Sequence, residues 1–449
     1  VIVNPYIGFA LLVFAPQLFL AILYEFDWNH GEIRGAIVLA LLAALLVFRF
    51  GPKLAFRRSE GPTPKWIYAL MAAAAMFVAL DCGRTIARTL ATGHIPMDEG
   101  QTTWRAARLL WHGENPYGAG ALTDMGAIAA RTDARREAGM APAPEGAALV
   151  SALAAYDKTL DPALREQILP TPTTGAWVGA AAREARLGGY KYGPAILLLT
   201  APFGALGAPT IVVILNQALC LGLFWAMWRL MRGVAGAAGF AALGVTALLI
   251  DQHIVWNFID GTATDVWPLL WGALAVLAYR AERPYLVAAA LALAAGGKIF
   301  PSLMFTPLLL TFRSVKPIAA FVGLLGLIYL PFLIADPMGL IDNVFMWPLL
   351  MFKDTTSWQY YAPPLAGLLV RAAALVGMAA LWLAYLAGRE TRLFWTLATL
   401  HAILLLTPGA FHNNYVPWVS IWVVAALVES TGLAVAPKRG AFAALAPSL

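Results

Sequence analysis

Asp98 and Glu99 are adjacent carboxylates at the start of MDEGQTTWRAARLLWHGENPY (97–117), a polar stretch between the apolar runs of a very apolar chain. In a cleft walled by membrane, low dielectric raises a carboxylate's proton affinity, which suits it to accept a proton from an attacking hydroxyl as a general base. A plainer role is compatible with that one. Acids favour a helix N-terminus, and Trp104, Ala107, Leu110 and Trp111 follow at helical spacing, predicting a helix over 100–112 that Asp98 and Glu99 cap. Lys298 is the second residue to ask for a partner. It lies within the apolar hairpin LAAGGKIFPSLMF (293–305). An ammonium in such a place pairs with an anion such as a phosphate, pairs with a protein carboxylate, or snorkels to water.

Further polar residues gather in the same class of segment. Arg84 and Arg88 end the third apolar run, and Lys191 lies in a loop. The two arginines either meet an anionic ligand or reach lipid headgroups. Asp251, His253, Asp260 and Asp265 form another group. It holds one histidine and scattered acids, which is not the spacing of a metal site, so no metal and no cofactor is expected. His412, Asn413, Asn414 and Tyr415 make a short polar loop. Trp256, Trp347, Trp358, Tyr360, Tyr361 and Trp418 sit at the ends of apolar runs, as an interfacial aromatic belt does.

The elements that must hold these residues are membrane helices. The chain has 449 residues, 60% hydrophobic and only 12% charged, whereas a soluble surface needs about 25% charged residues. Apolar runs are expected to span at roughly 6–24, 35–50, 66–90, 209–231, 234–250, 264–281, 284–297, 299–312, 317–335, 361–388, 392–408 and 414–430. This predicts an all-α polytopic bundle of about 12 spans. The first run, Ile7 to Leu23, reads as a span rather than a cleavable leader. Three regions follow: two N-terminal spans in 1–65, a main membrane module in 66–430 with a large loop 91–208, and a tail 431–449. The net charge of +6 reflects topology signals rather than nucleic-acid binding. Cys82 and Cys220 are expected as buried free thiols.

Basic loops set the orientation. Arg49, Lys53, Arg57, Arg58 and Lys65 place their segment in the cytoplasm, and 91–208 then lies outside. Tyr190 to Leu206 looks like a span, but a crossing there would put Arg229/Arg232 and every later basic pair outside. As a juxtamembrane or re-entrant element it leaves them all inside: Arg229/Arg232, Arg280/Arg283, Arg313/Lys316, Arg389/Arg392 and Lys438/Arg439. Both termini are then cytoplasmic, and the polar residues gather on the outer face. Within the loop, 120–188 is rich in Ala, Gly and Pro, with a short helix expected at 145–157.

The order of these motifs resembles the GT-C superfamily of polyprenyl-phosphate-sugar glycosyltransferases. The carboxylate pair opens the first outer loop, and an Ala-rich helix and Gly113-Glu114-Asn115-Pro116-Tyr117 follow. Three more motifs are similar to the bacterial GT87 (polyprenol-phosphate-mannose-type) group: Tyr190-Lys191-Tyr192-Gly193-Pro194, Gly261 to Trp267 with the helix to Arg280, and Ala294 to Pro301. The matches reach from about 81 to 428. The chain departs from the family at Thr102, where a tyrosine is common, and in the length of 120–188. The resemblance implies a multi-pass protein of the bacterial inner membrane with an outward-facing site. There a sugar leaves a polyprenyl-phosphate donor for the hydroxyl of a lipid or glycan acceptor. Asp98, or else Glu99, would be the base. Lys298, Lys191, Arg88 and Arg84 would hold the donor phosphate. Tyr117, Tyr192, Asp260, Asp265, His412, Asn414 and Tyr415 would contact sugar or acceptor. Two other classes remain open on sequence: a lipid or sugar transporter, and a non-catalytic membrane subunit that docks partners through 120–188.

Overall fold

The computed structural model describes residues 4–14, 62–96, 98–118, 189–206, 208–345, 363–407 and 415–432. Among these there is no strand. The helices are α1 (Pro5–Phe14), α2 (Lys65–Thr92), α3 (Asp98–Trp111), α4 (Pro194–Gly204), α5 (Thr210–Arg232), α6 (Ala238–Leu249), α7 (Gln252–Asp260), α8 (Val266–Arg280), α9 (Pro284–Gly297), α10 (Ile299–Phe312), α11 (Val315–Ala335), α12 (Pro337–Leu340), α13 (Pro364–Leu386), α14 (Leu393–Leu404) and α15 (Val416–Gly432). By length and composition α2, α5, α11 and the segment Leu365–Leu386 of α13 can each cross a membrane, and α6 with α7 makes a fifth if the bent pair is one span. The expected span 35–50, the helix 145–157, and His412, Asn413 and Asn414 lie outside the described residues.

The described residues of Val1–Gln101, Ala208–Gly326 and Phe352–Leu449 form one compact unit, and those of Thr102–Gly207 and Leu327–Met351 form a second. Helices α3 and α11 run from one into the other. In the first unit, α8 packs along α9, α14 along α15, and α5 along α8 and α6. Small residues let these helices approach. Gly272 lies under the Phe305 ring, Gly244 against Met231 and Val428, and Gly239 against Tyr6. Van der Waals closeness of this kind does in lipid what hydrophobic exclusion does in water. Burial separates the helices into two sets. In their apolar windows α2, α11 and α13 bury only 17%, 11% and 22%, against 56% for α5, so the first three leave most of their apolar side chains at the surface. Cys82 and Cys220 are free thiols, the second buried.

In the second unit, α3 crosses α4 where Gly204 meets the carbonyl of Ala107 and the Cβ of Trp111. Helix α4 has eleven residues, about 16 Å against about 30 Å of hydrocarbon. It is too short to cross as a straight helix.

Candidate functional site

The segment between α6 and α8 is built by local hydrogen bonding. Apolar α6 ends at Leu249, and the chain turns by 48° around the buried Asp251. Its Oδ1 accepts from the amides of His253 (2.9 Å) and Ile254 (3.4 Å), and its Oδ2 accepts from the Ser420 hydroxyl (3.0 Å). The carboxylate thus satisfies donors that a helix start leaves open. Residues Val255–Asp260 then wind as a π-helix, a form common where function or strain resides. The Gly261 amide donates to the Trp256 carbonyl (2.7 Å) and the Ala263 amide to that of Asn257 (2.8 Å). Thr262 has a left-handed backbone (φ 59).

This winding aims Thr264 and Asp265 in the first unit. The Thr264 amide (2.7 Å) and hydroxyl (2.8 Å) both donate to Oε2 of Glu99. Lys298, at the junction of α9 and α10, brings its Nζ to 2.8 Å from Asp265 Oδ2 and 3.6 Å from Glu99 Oε2. Trp418 Nε1 donates to the other Asp265 oxygen (3.0 Å), and Tyr415 stacks on Trp418 at 4.6 Å between centroids. Asp265 has no exposed side-chain surface, and those of Glu99 and Lys298 are 13% and 12% exposed. Close packing holds both walls. A Cβ on Gly100 would overlap Thr262 and Ile95, and one on Gly297 would overlap the Trp267 indole, whose Nε1 donates to the Leu293 carbonyl.

Four residues picked from separate stretches therefore meet: Glu99, Asp265, Lys298 and, through Trp418, Tyr415. Asp98 opens α3, and its side chain lies outside the described part. Asp260 is elsewhere in the unit, where its carboxylate takes Arg84 (2.8 Å) and the Thr85 hydroxyl, while Arg84 also pairs with Asp81 (2.7 Å). Arg84 is thus engaged with carboxylates, and Arg88 is exposed on α2. Thr264 and Trp418 were not singled out for this site. The first carries no charge, and the second reads as belt aromatic. Outside this site, Arg371 within the apolar run of α13 donates from Nε to the Thr407 carbonyl (3.1 Å).

The second unit holds the tyrosine element. Tyr117 is fully buried and its hydroxyl donates to the Tyr192 carbonyl (2.8 Å). Burial and the neighbouring Tyr190 and Tyr329 hold that hydroxyl well above its usual pKa, so it stays a donor. In this conformation Tyr117 is fully enclosed, and the Tyr192 carbonyl serves as its acceptor. Tyr190 meets the Thr103 hydroxyl (3.0 Å) and Tyr192 by an edge contact (5.3 Å). Lys191 donates to Asn343 Oδ1. Burial lowers its pKa to about 7, opposed by the attraction of Asp342. Compared with family models, curated proteins and solved structures, the chain finds no match in any of the three.

Proposed function

We propose that this protein is a GT-C-like glycosyltransferase of the bacterial inner membrane, with about 12 spans and both termini cytoplasmic, acting on the extracytoplasmic side. An acceptor hydroxyl of a lipid or glycan attacks the anomeric carbon of a polyprenyl-phosphate sugar. The new C–O bond forms as the bond to phosphate oxygen breaks, and the phosphate leaves with the electron pair. The acceptor proton passes to Asp98, with Glu99 as second choice. Configuration inverts in this single displacement. One base and electrostatic help for the departing phosphate are its needs.

The observation that supports this most is the meeting of Glu99 with Lys298. It sets the segment bearing the acid pair beside a nearly buried ammonium from the far half of the chain, 3.6 Å away. In this reading Lys298 keeps Asp265 and exchanges Glu99 for a phosphate oxygen, which releases the acid as the donor binds. A second reading has its own observation. A buried carboxylate at a broken helix, as at Asp251, is a device of transporters.

The test is transfer of labelled sugar from a polyprenyl-phosphate donor by the purified protein in detergent. Asp98→Asn should lower the rate by about 10²–10⁴-fold while donor binding, followed separately, persists. Full activity in Asp98→Asn would remove this base. Donor uptake into sealed vesicles without transfer would favour the transporter.

A further inference from the structure

Helix α3 is sided in a way that the transfer chemistry does not use. Thr103, Trp104, Ala106 and Ala107 are buried, whereas Arg105, Arg108 and His112 are exposed. At about 100° per residue these three fall on one face. Among the described residues neither arginine forms an ion pair. The exposed carboxylate just beyond the helix, Glu114, pairs with neither.

Its partner α4 is apolar on both sides. Pro194 to Leu197, Thr200, Ala201 and Gly204 face inward, while Leu198, Leu199 and Pro202, with Leu206 just beyond, are exposed at helical spacing. Leu198 is 47% and Leu206 64% exposed, and Trp111 beside Gly204 is 51% exposed. The contact runs along the Ala107–Trp111 edge of α3, about a third of a turn from the arginine face. Helix α4 therefore lies beside that face rather than beneath it. A wholly apolar stripe on a helix too short to cross, next to unpaired arginines and an exposed tryptophan, is the composition of an interfacial membrane element.

We propose that the α3–α4 pair is a platform for anionic phospholipid. The Leu198–Leu206 stripe lies in the hydrocarbon boundary of the bilayer that holds the spans, Trp111 at its interface, and Arg105 and Arg108 on anionic headgroups. The charge complementarity selects the lipid class, and the short apolar stripe selects a bilayer over a soluble anion. The platform stands independently of the sugar-transfer reading.

The full chain in lipid nanodiscs tests it, with Cys82 and Cys220 replaced and a fluorophore on Leu198→Cys. Quenching by lipids carrying a spin label near the headgroup should be strong, and quenching by aqueous iodide weak. Efficient iodide quenching would overturn the proposal. So would protection from both quenchers, which would mean that segment 119–188 or a second copy covers the stripe. The headgroup arm compares binding of spin-labelled phosphatidylglycerol with phosphatidylcholine. Each arginine should contribute up to about fivefold selectivity at low salt, so the double variant Arg105→Gln, Arg108→Gln loses most of that preference. Salt should weaken it in the native chain as the screening length falls from about 30 Å to about 10 Å. Equal selectivity in native and double-variant protein would overturn the anionic assignment. Both arginines are exposed, so this pair tests binding rather than folding.

Discussion

Lys298 lies 2.8 Å from a carboxylate with no exposed side-chain surface, and that pairing decides which substitutions of it are informative. Lys298→Ala would break a buried ion pair, at a cost of about 3–5 kcal/mol, and would report on folding as much as on donor binding. Lys298→Arg keeps the charge. The lysine was legible in sequence because a cation in an apolar hairpin demands a partner; which partner was not legible, since Asp265 and Glu99 come from distant stretches. Trp418 was read as interfacial because nothing local marks its indole as Asp265's donor. Lys191 gives the residue-scale prediction. Its folded pKa of about 7 lies below its ordinary value of 10.5. Below pH 7 both folded and unfolded chains carry the proton, and the folded chain bears the full desolvation penalty. Between about 7 and 10.5 the unfolded chain binds more protons, so stability rises with pH across that window. Melting of the native protein should therefore shift upward from pH 6.5 to pH 9.5 by more than that of Lys191→Met. Parallel pH profiles for the two would mean that Lys191 keeps its ordinary proton affinity.

Helices followed from the apolar runs to within a few residues: α2, α5, α8, α9, α11, α13 and α15 fall where hydropathy put them. Long unbroken apolar stretches have few alternatives in a bilayer, so they are read directly. What escaped was the interior of 234–265. The run expected to span at 234–250 ends in the capped break at Asp251, whose carboxylate also accepts from Ser420 in a distant helix, and a π-helix follows. The junction of α9 and α10 gives the element-scale prediction. A methyl at Gly297 would enter the Trp267 ring, which cannot readily yield because its indole N–H is held by the Leu293 carbonyl at 2.6 Å. Gly297→Ala should cost about 1–3 kcal/mol, read as a lower melting temperature in detergent with altered tryptophan emission. The loss should be absent in Gly323→Ala, where a Cβ meets open space. Equal melting of the two variants would show that α9 and Trp267 can shift apart.

At the scale of the chain, the basic loops make one consistent pattern only when α4 does not cross. Impermeant maleimide on intact cells should label His94→Cys directly and Ala281→Cys only after permeabilisation, in a background without Cys82 and Cys220. Direct labelling of Ala281→Cys would invert every segment after 190. The class of fold was legible from composition, since so few charges cannot clothe a soluble surface. The division into two units was not, because α3 and α11 pass between them without a change of composition. Helices α8 and α9 have 15 and 14 residues, each short of the about 20 apolar residues that enter a bilayer alone. Ala281, Glu282 and Arg283 join them. In the proposed topology the first would be a poor stop signal during synthesis until the second has left the ribosome. If the chain takes the proposed topology, Lys298 arrives immediately after the pair is complete, once the hairpin that would carry it across the membrane exists.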